Sequence, residues 1–326
     1  MKYLFNRIVV STLFALSPAF AMAQTWIPSR AITFVVPVTP SSSNNLIALM
    51  LSEKLPAKLG QPVIVDNRPG TSNLADVASV ARSAPDGHTI VIMSSDVYIA
   101  PILTPKAGGA KFDIIKDFSP VLTAGSPFML VVASPSINAK TPQEQGAYLK
   151  KNGATSSGTG SPINIADEML KRSTGMQLNH VPYRGVLPAV DAVLAGELPI
   201  SIVVLAGDVP HIATRKLILV GLIEKQRLES ISTMSTMTES SITNVETAWF
   251  FQILAPSATT AAAIQRLDTD INAVLATSEF RNKLRGMGAQ ITGGTSGDAV
   301  KLARDTYARN QQVVKDLNIK AECATS

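Results

Sequence analysis

The run from Ile32 to Gly60, ITFVVPVTPSSSNNLIALMLSEKLPAKLG, decides the fold. From Ile32 to Val36 every residue is β-branched or aromatic, with no polar alternation, and such a run reads as a strand covered on both faces. Pro37 stops it, because proline cannot donate to a ladder in mid-sheet. A glycine-free polar cluster, Ser41 to Asn45, then precedes a helix-period segment that closes at Gly60. Ser and Asn are ordinary helix caps. A helix start also leaves N–H groups unpaired and carries partial positive charge, so anions settle there without a basic side chain. On this loop alone both readings stay open.

The same alternation continues on either side. QPVIVDNRPG (61–70), LADVASVARSAPDG (74–87) and HTIVIMSS (88–95) follow, with Gly- or Pro-containing stops between strand and helix. After SPFMLVVASP (126–135) a second series begins with INIADEMLKRSTG, LNHVPYRG, LPAVDAVLAGE and LPISIVVLAG. Continuous apolar strands joined by helices predict α/β units with parallel sheets. Pro120 to Pro127 and Thr247 to Pro256 read as crossings between the two units, and the helical tail after Pro256 packs back on the first. The expected division is therefore a first lobe of 24–123 plus 251–326 and a second of 124–250.

Residues 1–23 carry Lys2 and Arg7, an apolar stretch from Ile8 to Leu16, and the small-residue triplet Ala21-Met22-Ala23. This is the pattern of a secretory signal peptide cut before Gln24, and the stretch is shorter than the roughly 20 residues of a membrane span. No cysteine follows the triplet to take a lipid, so the mature chain is expected free in the periplasm. Cys323 is the single cysteine of 326 residues, which excludes an internal disulfide and leaves the core to hold the fold. Of 29 basic residues two lie in the leader, leaving 27 against 24 acidic ones. That balance and an aromatic content of 5% give no basis for nucleic-acid binding.

The chemistry is mostly absent. There is no Gly-x-Ser-x-Gly elbow, His-Glu-x-x-His pair or phosphate loop, and SGTGSP lacks the third glycine of a dinucleotide fingerprint, with Ile163 in its place. His88, His180 and His211 are scattered and read as packed or capping imidazoles, so neither an enzyme, a metal nor a cofactor is expected. What stands out is a matched pair of loops. Ser41 to Asn45 precede a helix in the first unit, and TSSGTGSP from Thr155 precedes one in the second. In open α/β sheets ligands collect at the C-terminal ends of strands, where both loops fall.

PSRAITFVVP, LSEKLPAKLGQPVIVDNRPG, VARSAPDGHTIV, FDIIKDFSPV, NHVPYRGVLPAVDAVLAGE and ETAWFFQILAP, in this order, resemble the Bug family of periplasmic solute-binding proteins, the receptors of tripartite tricarboxylate transporters. The resemblance covers the mature chain and implies a two-lobed class II binding protein, a Venus flytrap whose lobes are mainly parallel sheets flanked by helices. It implies a monomer that captures a small organic carboxylate for membrane transporter subunits; an exported sensor receptor is the alternative partner reading. The family's carboxylate loops map here onto Thr39, Ser41, Ser42, Ser43, Asn44 and Asn45 in the first lobe. In the second they map onto Ser156, Ser157, Thr159 and Ser161. Asn73, Ser95, Tyr183 and Val203 complete the implied ligand-binding set.

The chain departs from the family pattern at several of these positions. Pro40-Ser41-Ser42 and Asn45 replace a Pro-x-Gly-Gly and the Asp that opens the helix, and Ser72-Asn73 replace a glycine pair. Val203 stands where an Asp is expected in the later strand, and about four residues are missing between Lys151 and Ser156. With two carboxylates gone, the resemblance implies a less negative, more apolar cleft, suited to acids without a free ammonium group.

Overall fold

The computed structural model describes residues 25–38, 40, 42–68, 74–103, 112–139, 141–152, 154–158, 161–183, 186–204, 217–223, 227, 234–239, 242–243, 245 and 249–316. The leader and His211 lie outside them.

The opening run folds as expected. Strand β1 (Ile32–Val36) is buried on both faces, and α1 (Ser43–Lys54) turns Ile47, Ala48 and Leu51 onto it at helical spacing. Pro56 starts a single turn, α2 (Pro56–Leu59), which ends on Gly60 in the left-handed region that glycine takes without a Cβ clash. Strand β2 (Val63–Asn67) then pairs in parallel with β1, Ile32 opposite Val63 and Val36 opposite Asn67. Helix α3 (Leu74–Ala81) leads to β3 (Thr89–Ser94), parallel to β1 on its other side. At the turn into β3, Gly87 has φ 83° and touches the Trp26 ring where a side chain would collide with it. The indole of Trp26 is fixed there by donating to Asp86 O at 2.9 Å.

A 3₁₀ turn (Ser95–Tyr98) and α4 (Ala100–Leu103) follow β3, and β4 (Phe118–Pro127) completes the outgoing half of the first lobe. β4 stays in the first sheet as far as Pro127, past the expected 123/124 division, and the chain crosses at Phe128 into β5 (Met129–Ala133). The second lobe holds α5 (Pro142–Asn152), β6 (Ala154–Gly158), α6 (Ser161–Thr174), β7 (Leu178–Pro182), α7 (Val186–Ala195), β8 (Ile200–Val204) and β9 (Ile218–Leu222). The return strand β10 (Phe251–Pro256) re-enters the first sheet, followed by α8 (Ala261–Leu275), α9 (Ser278–Gly286), β11 (Ala289–Ile291) and α10 (Ser296–Asp316).

The architecture is the expected two-lobed α/β class, with mixed sheets. The first sheet has the order β11-β4-β10-β3-β1-β2; β1, β2 and β3 are parallel, while β10 and β11 pair antiparallel with their neighbours. The second lobe has the antiparallel group β8-β5-β9 and the parallel pair β6-β7. The antiparallel share comes from the crossings: a strand that returns from the other lobe needs no helical crossover and is free to run either way. Each lobe has two apolar clusters, around Phe34, Leu122 and Ile271 and around Val35, Val91 and Phe118 in the first, and around Val131, Ile163 and Ile202 and around Leu130, Val190 and Val193 in the second. Each fully buried side chain of this size contributes about 1.5–3 kcal/mol.

This topology fixes an edge. The three parallel strands end together at Val36, Asn67 and Ser94, and Phe251, where β10 enters, pairs with both Ser94 and Gly125. Both crossings to the second lobe therefore sit beside the C-terminal end of β3.

Candidate ligand-binding cleft

Ser42 caps α1, its Oγ accepting from Asn45 N at 3.2 Å, and no acidic residue occupies the first turn to neutralise the helix end. Asn44 and Asn45, at 4% and 2% exposure, point inward. The Asn44 amide and the Ser94 hydroxyl exchange hydrogen bonds at 3.0 and 3.3 Å, tying the loop to β3. Asn45 Nδ2 donates to Pro40 O at 2.6 Å and its Oδ1 accepts from Asn67 Nδ2 at 2.8 Å, tying the loop to β2. Arg68 finishes this brace: its N–H donates to Val36 O, and its guanidinium bonds Asp66 Oδ2 and Ser79 Oγ. The amide of Asn45 is thus engaged by the loop itself, while the backbone N–H groups of Ser43 and Asn44 have no partner among the described residues.

Ser95 opens the turn after β3; it is buried, donates from N to Phe250 O at 2.9 Å, and accepts from Phe250 N through Oγ at 3.4 Å. Behind it Ile99 packs against Ile165 of α6, joined by Met169, Val313 and Val314. Ile165 lies one turn along from Ser161, the first residue of α6, so the start of that helix is brought to the edge where β1, β2 and β3 end. The first turn of α6 is free of acidic residues as well. Ser156 and Ser157 lie in β6, paired with His180 and Val181 of β7. Tyr183 follows β7, half-buried against the second-lobe core. Thr39, Ser41, Asn73 and Thr159 lie outside the described residues.

Val203 is not brought to the cleft. It is fully buried in β8 opposite Leu130, packed with Phe128, Val190, Val193 and Leu222. In a strand successive side chains alternate between faces, so a one-residue difference in register separates core from cleft. Two histidines are accounted for by packing. His88 accepts from Ser29 N at 3.0 Å and meets Trp26 edge-on, and His180 Nδ1 bonds the buried carboxylate of Asp167 at 2.7 Å.

The resemblance also left out an acid. Asp96, next to Ser95, keeps Oδ1 sealed from solvent with no hydrogen-bond partner among the described residues. Burial pushes its carboxyl up to about 6 from the ordinary 3.8, against hydrogen bonds from the backbone N–H groups of Asp96 and Val97. Its surroundings are otherwise matched. Tyr98 OH donates to Gln252 Oε1, and Gln252 Nε2 donates to Thr123 Oγ1 and Ala299 O. Its place at the end of a parallel strand was the available signal.

A family model described as "Tripartite tricarboxylate transporter family receptor" matches residues 47–319. The chain belongs to this receptor family. Among its relatives, "UPF0065 protein in tcbD-tcbE intergenic region" of Pseudomonas sp. (strain P51) is 28% identical over 97% of this chain and 95% of the relative. A solved structure titled "R. palustris Rpa4515 with adipate" superposes with a TM-score of 0.77 at 25% identity, over 90% of this chain and 99% of the other. "Structure of periplasmic binding protein BugD" matches the fold with a TM-score of 0.74 at 21% identity, over 90% and 100% of the two chains. The chain shares their fold, with two α/β lobes whose connecting strands meet at one strand edge in this protein. Among the described residues no helix is long and apolar enough to cross a membrane.

Proposed function

We propose that this receptor works in the periplasm, exported by a signal peptide cut before Gln24, and closes on a small carboxylate-bearing organic acid for a tripartite tricarboxylate-type transporter. One observation carries the reading: the packing of Ile165 on Ile99 brings the start of α6 to the edge held by Ser42, Asn44 and Ser95. Two helix starts without first-turn acids then supply N–H groups and partial positive charge to a carboxylate from both lobes. The lobes divide at Phe128 and again just before β10, so closure moves one helix start relative to the other. The adipate in the neighbouring structure is in keeping with a dicarboxylate guest.

Thermal unfolding of the mature chain with adipate, succinate, glutarate and an amine control tests this. A ligand at 100 times its dissociation constant adds about 2.7 kcal/mol of stability. A shift with dicarboxylates and none with the amine is expected; no shift with any carboxylate overturns the reading.

A further inference from the structure

The end of the first sheet farthest from the junction of the lobes holds a pocket of about 230 Å³. Phe118 of β4 and Pro256 of β10 are paired there, whereas Phe251, at the other end of β10, meets Ser94 and Gly125 at the cleft edge. The two ends are roughly 17 Å apart along the strand, so the pocket is no part of the cleft. Its inner wall is apolar: Ile114, Phe118 and Ala303 are buried, and half-buried Ile115 and Val300 flank them. The walls are braced by the protein itself. Asp113 Oδ1 accepts from Ile115 N and Lys116 N at 3.0 and 3.2 Å, Ser119 Oγ donates to Ser257 O at 3.1 Å, and Phe112 meets Phe118 edge-on.

The rim carries charge of one sign. Among the described residues no acidic side chain lines the pocket, while Lys116 and Arg304 both do. Lys116 is 81% exposed and paired with Asp113 at 3.1 Å, so its charge is already engaged. Arg304 is exposed and has no ion pair or hydrogen bond among the described residues, although Lys301 and Asp305 beside it on α10 bond each other. It lies one turn along from Val300 and next to Ala303, which sets an uncommitted guanidinium over the apolar wall. Such a pairing reads both ends of an amphipathic anion: the hollow takes apolar surface out of water, and the planar fork holds a carboxylate through two N–H donors. A neutral apolar molecule leaves Arg304 unused, and an inorganic anion leaves the hollow unfilled. A cavity of about 150 Å³ accepts benzene, so a single six-membered ring fits here. The geometry points to a second ligand site, at the far end of the first lobe, for a small monocarboxylate with a ring-sized apolar body. It stands independently of the carboxylate-receptor reading of the cleft.

Methyl NMR of the mature chain labelled at isoleucine Cδ1 locates the guest, with benzoate as the probe. Benzoate should shift the Ile114 and Ile115 methyls saturably, equally with and without excess adipate. Acetate, which lacks the ring, and benzyl alcohol, which lacks the charge, should each bind there about tenfold or more weakly than benzoate. Arg304→Gln, at an exposed position, should weaken benzoate about tenfold, the size of a charge-assisted hydrogen bond, and bring it level with benzyl alcohol. Ala303→Leu, whose side chain enters the pocket, should block it; if that variant does not fold, Arg304→Gln still decides. The inference fails if benzoate leaves Ile114 and Ile115 unmoved, if benzyl alcohol binds as tightly, or if Arg304→Gln changes nothing. Shifts abolished by excess adipate would place benzoate in the cleft, which overturns the second site and leaves the receptor reading standing.

Discussion

The loop that opens α1 and the turn that follows β3 occupy the same edge of the same sheet, yet they differ in how their buried polar atoms are matched. In the loop, both amide groups of Asn44 and Asn45 are bonded to Ser94, Pro40 and Asn67. In the turn, Asp96 Oδ1 has no hydrogen-bond partner among the described residues. Matched buried groups fix a backbone; unmatched ones cost stability and are kept where something else completes them. The loop is therefore scaffold, holding the backbone N–H groups of Ser43 and Asn44 in place, while the turn keeps a buried acid unmatched.

Asn45→Asp gives the largest effect and tests the scaffold half. Asn45 has 2% exposure, and Asp replaces the donor facing Pro40 O with a charged acceptor while Asn67 still bonds the other oxygen, a buried mismatch of about 3–5 kcal/mol. Urea unfolding should show that loss. A variant of unchanged stability but altered ligand preference would place Asn45 among the ligand contacts and dissolve the contrast with Asp96.

Asp96→Asn acts in the opposite direction. The folded state holds the Asp96 proton up to about pH 6, whereas the unfolded chain releases it near 3.8. Its favourable contribution is therefore complete below about pH 3.8 and lost as pH rises through about 6. Above that range the ionised carboxylate costs roughly 3 kcal/mol. No charged side chain is among the causes of the shift, so the pH dependence belongs to burial. At pH 8 the Asn variant should be the more stable by up to that amount, and the difference should vanish near pH 4. Parallel stability profiles for the two proteins between pH 4 and 8 would show that Asp96 is not the strained group.

The division between legible and hidden features follows from range. The buried strand Ile32–Val36 and its helix are local patterns, so the class and the parallel pairing of β1 with β2 could be read directly. The identity of the loop's partners could not. Asn45 reads equally as cap, ligand contact or brace until Asn67, 22 positions away, is seen to donate to it. The antiparallel return of β10 beside β3, and the hydrogen bond from Tyr98 to Gln252 behind it, join segments about 154 positions apart. Val203 failed for a smaller reason: in a run of apolar residues the period-two alternation leaves no mark to say which side chain faces out.

Arg68→Gln should produce the smallest change and tests how the first-lobe edge handles charge. Arg68 stands directly after β2, and a basic residue there is the obvious candidate to hold a carboxylate. Its guanidinium is already shared between Asp66 Oδ2, at 2.7 and 2.9 Å, and Ser79 Oγ at 2.9 Å. With 36% and 37% of the two side chains exposed, the ion pair is screened and contributes less than about 1 kcal/mol. Gln keeps a donor for Ser79 and drops the charge, so the stability loss should shrink further as salt is raised through a Debye length shorter than about 10 Å. Under the proposed carboxylate-receptor reading, adipate affinity changes less than about threefold, because in that reading the helix starts and not Arg68 supply the positive potential. A hundredfold loss of adipate binding at unchanged stability would move Arg68 from brace to ligand contact, and the edge would then bind by side-chain charge instead of backbone N–H groups.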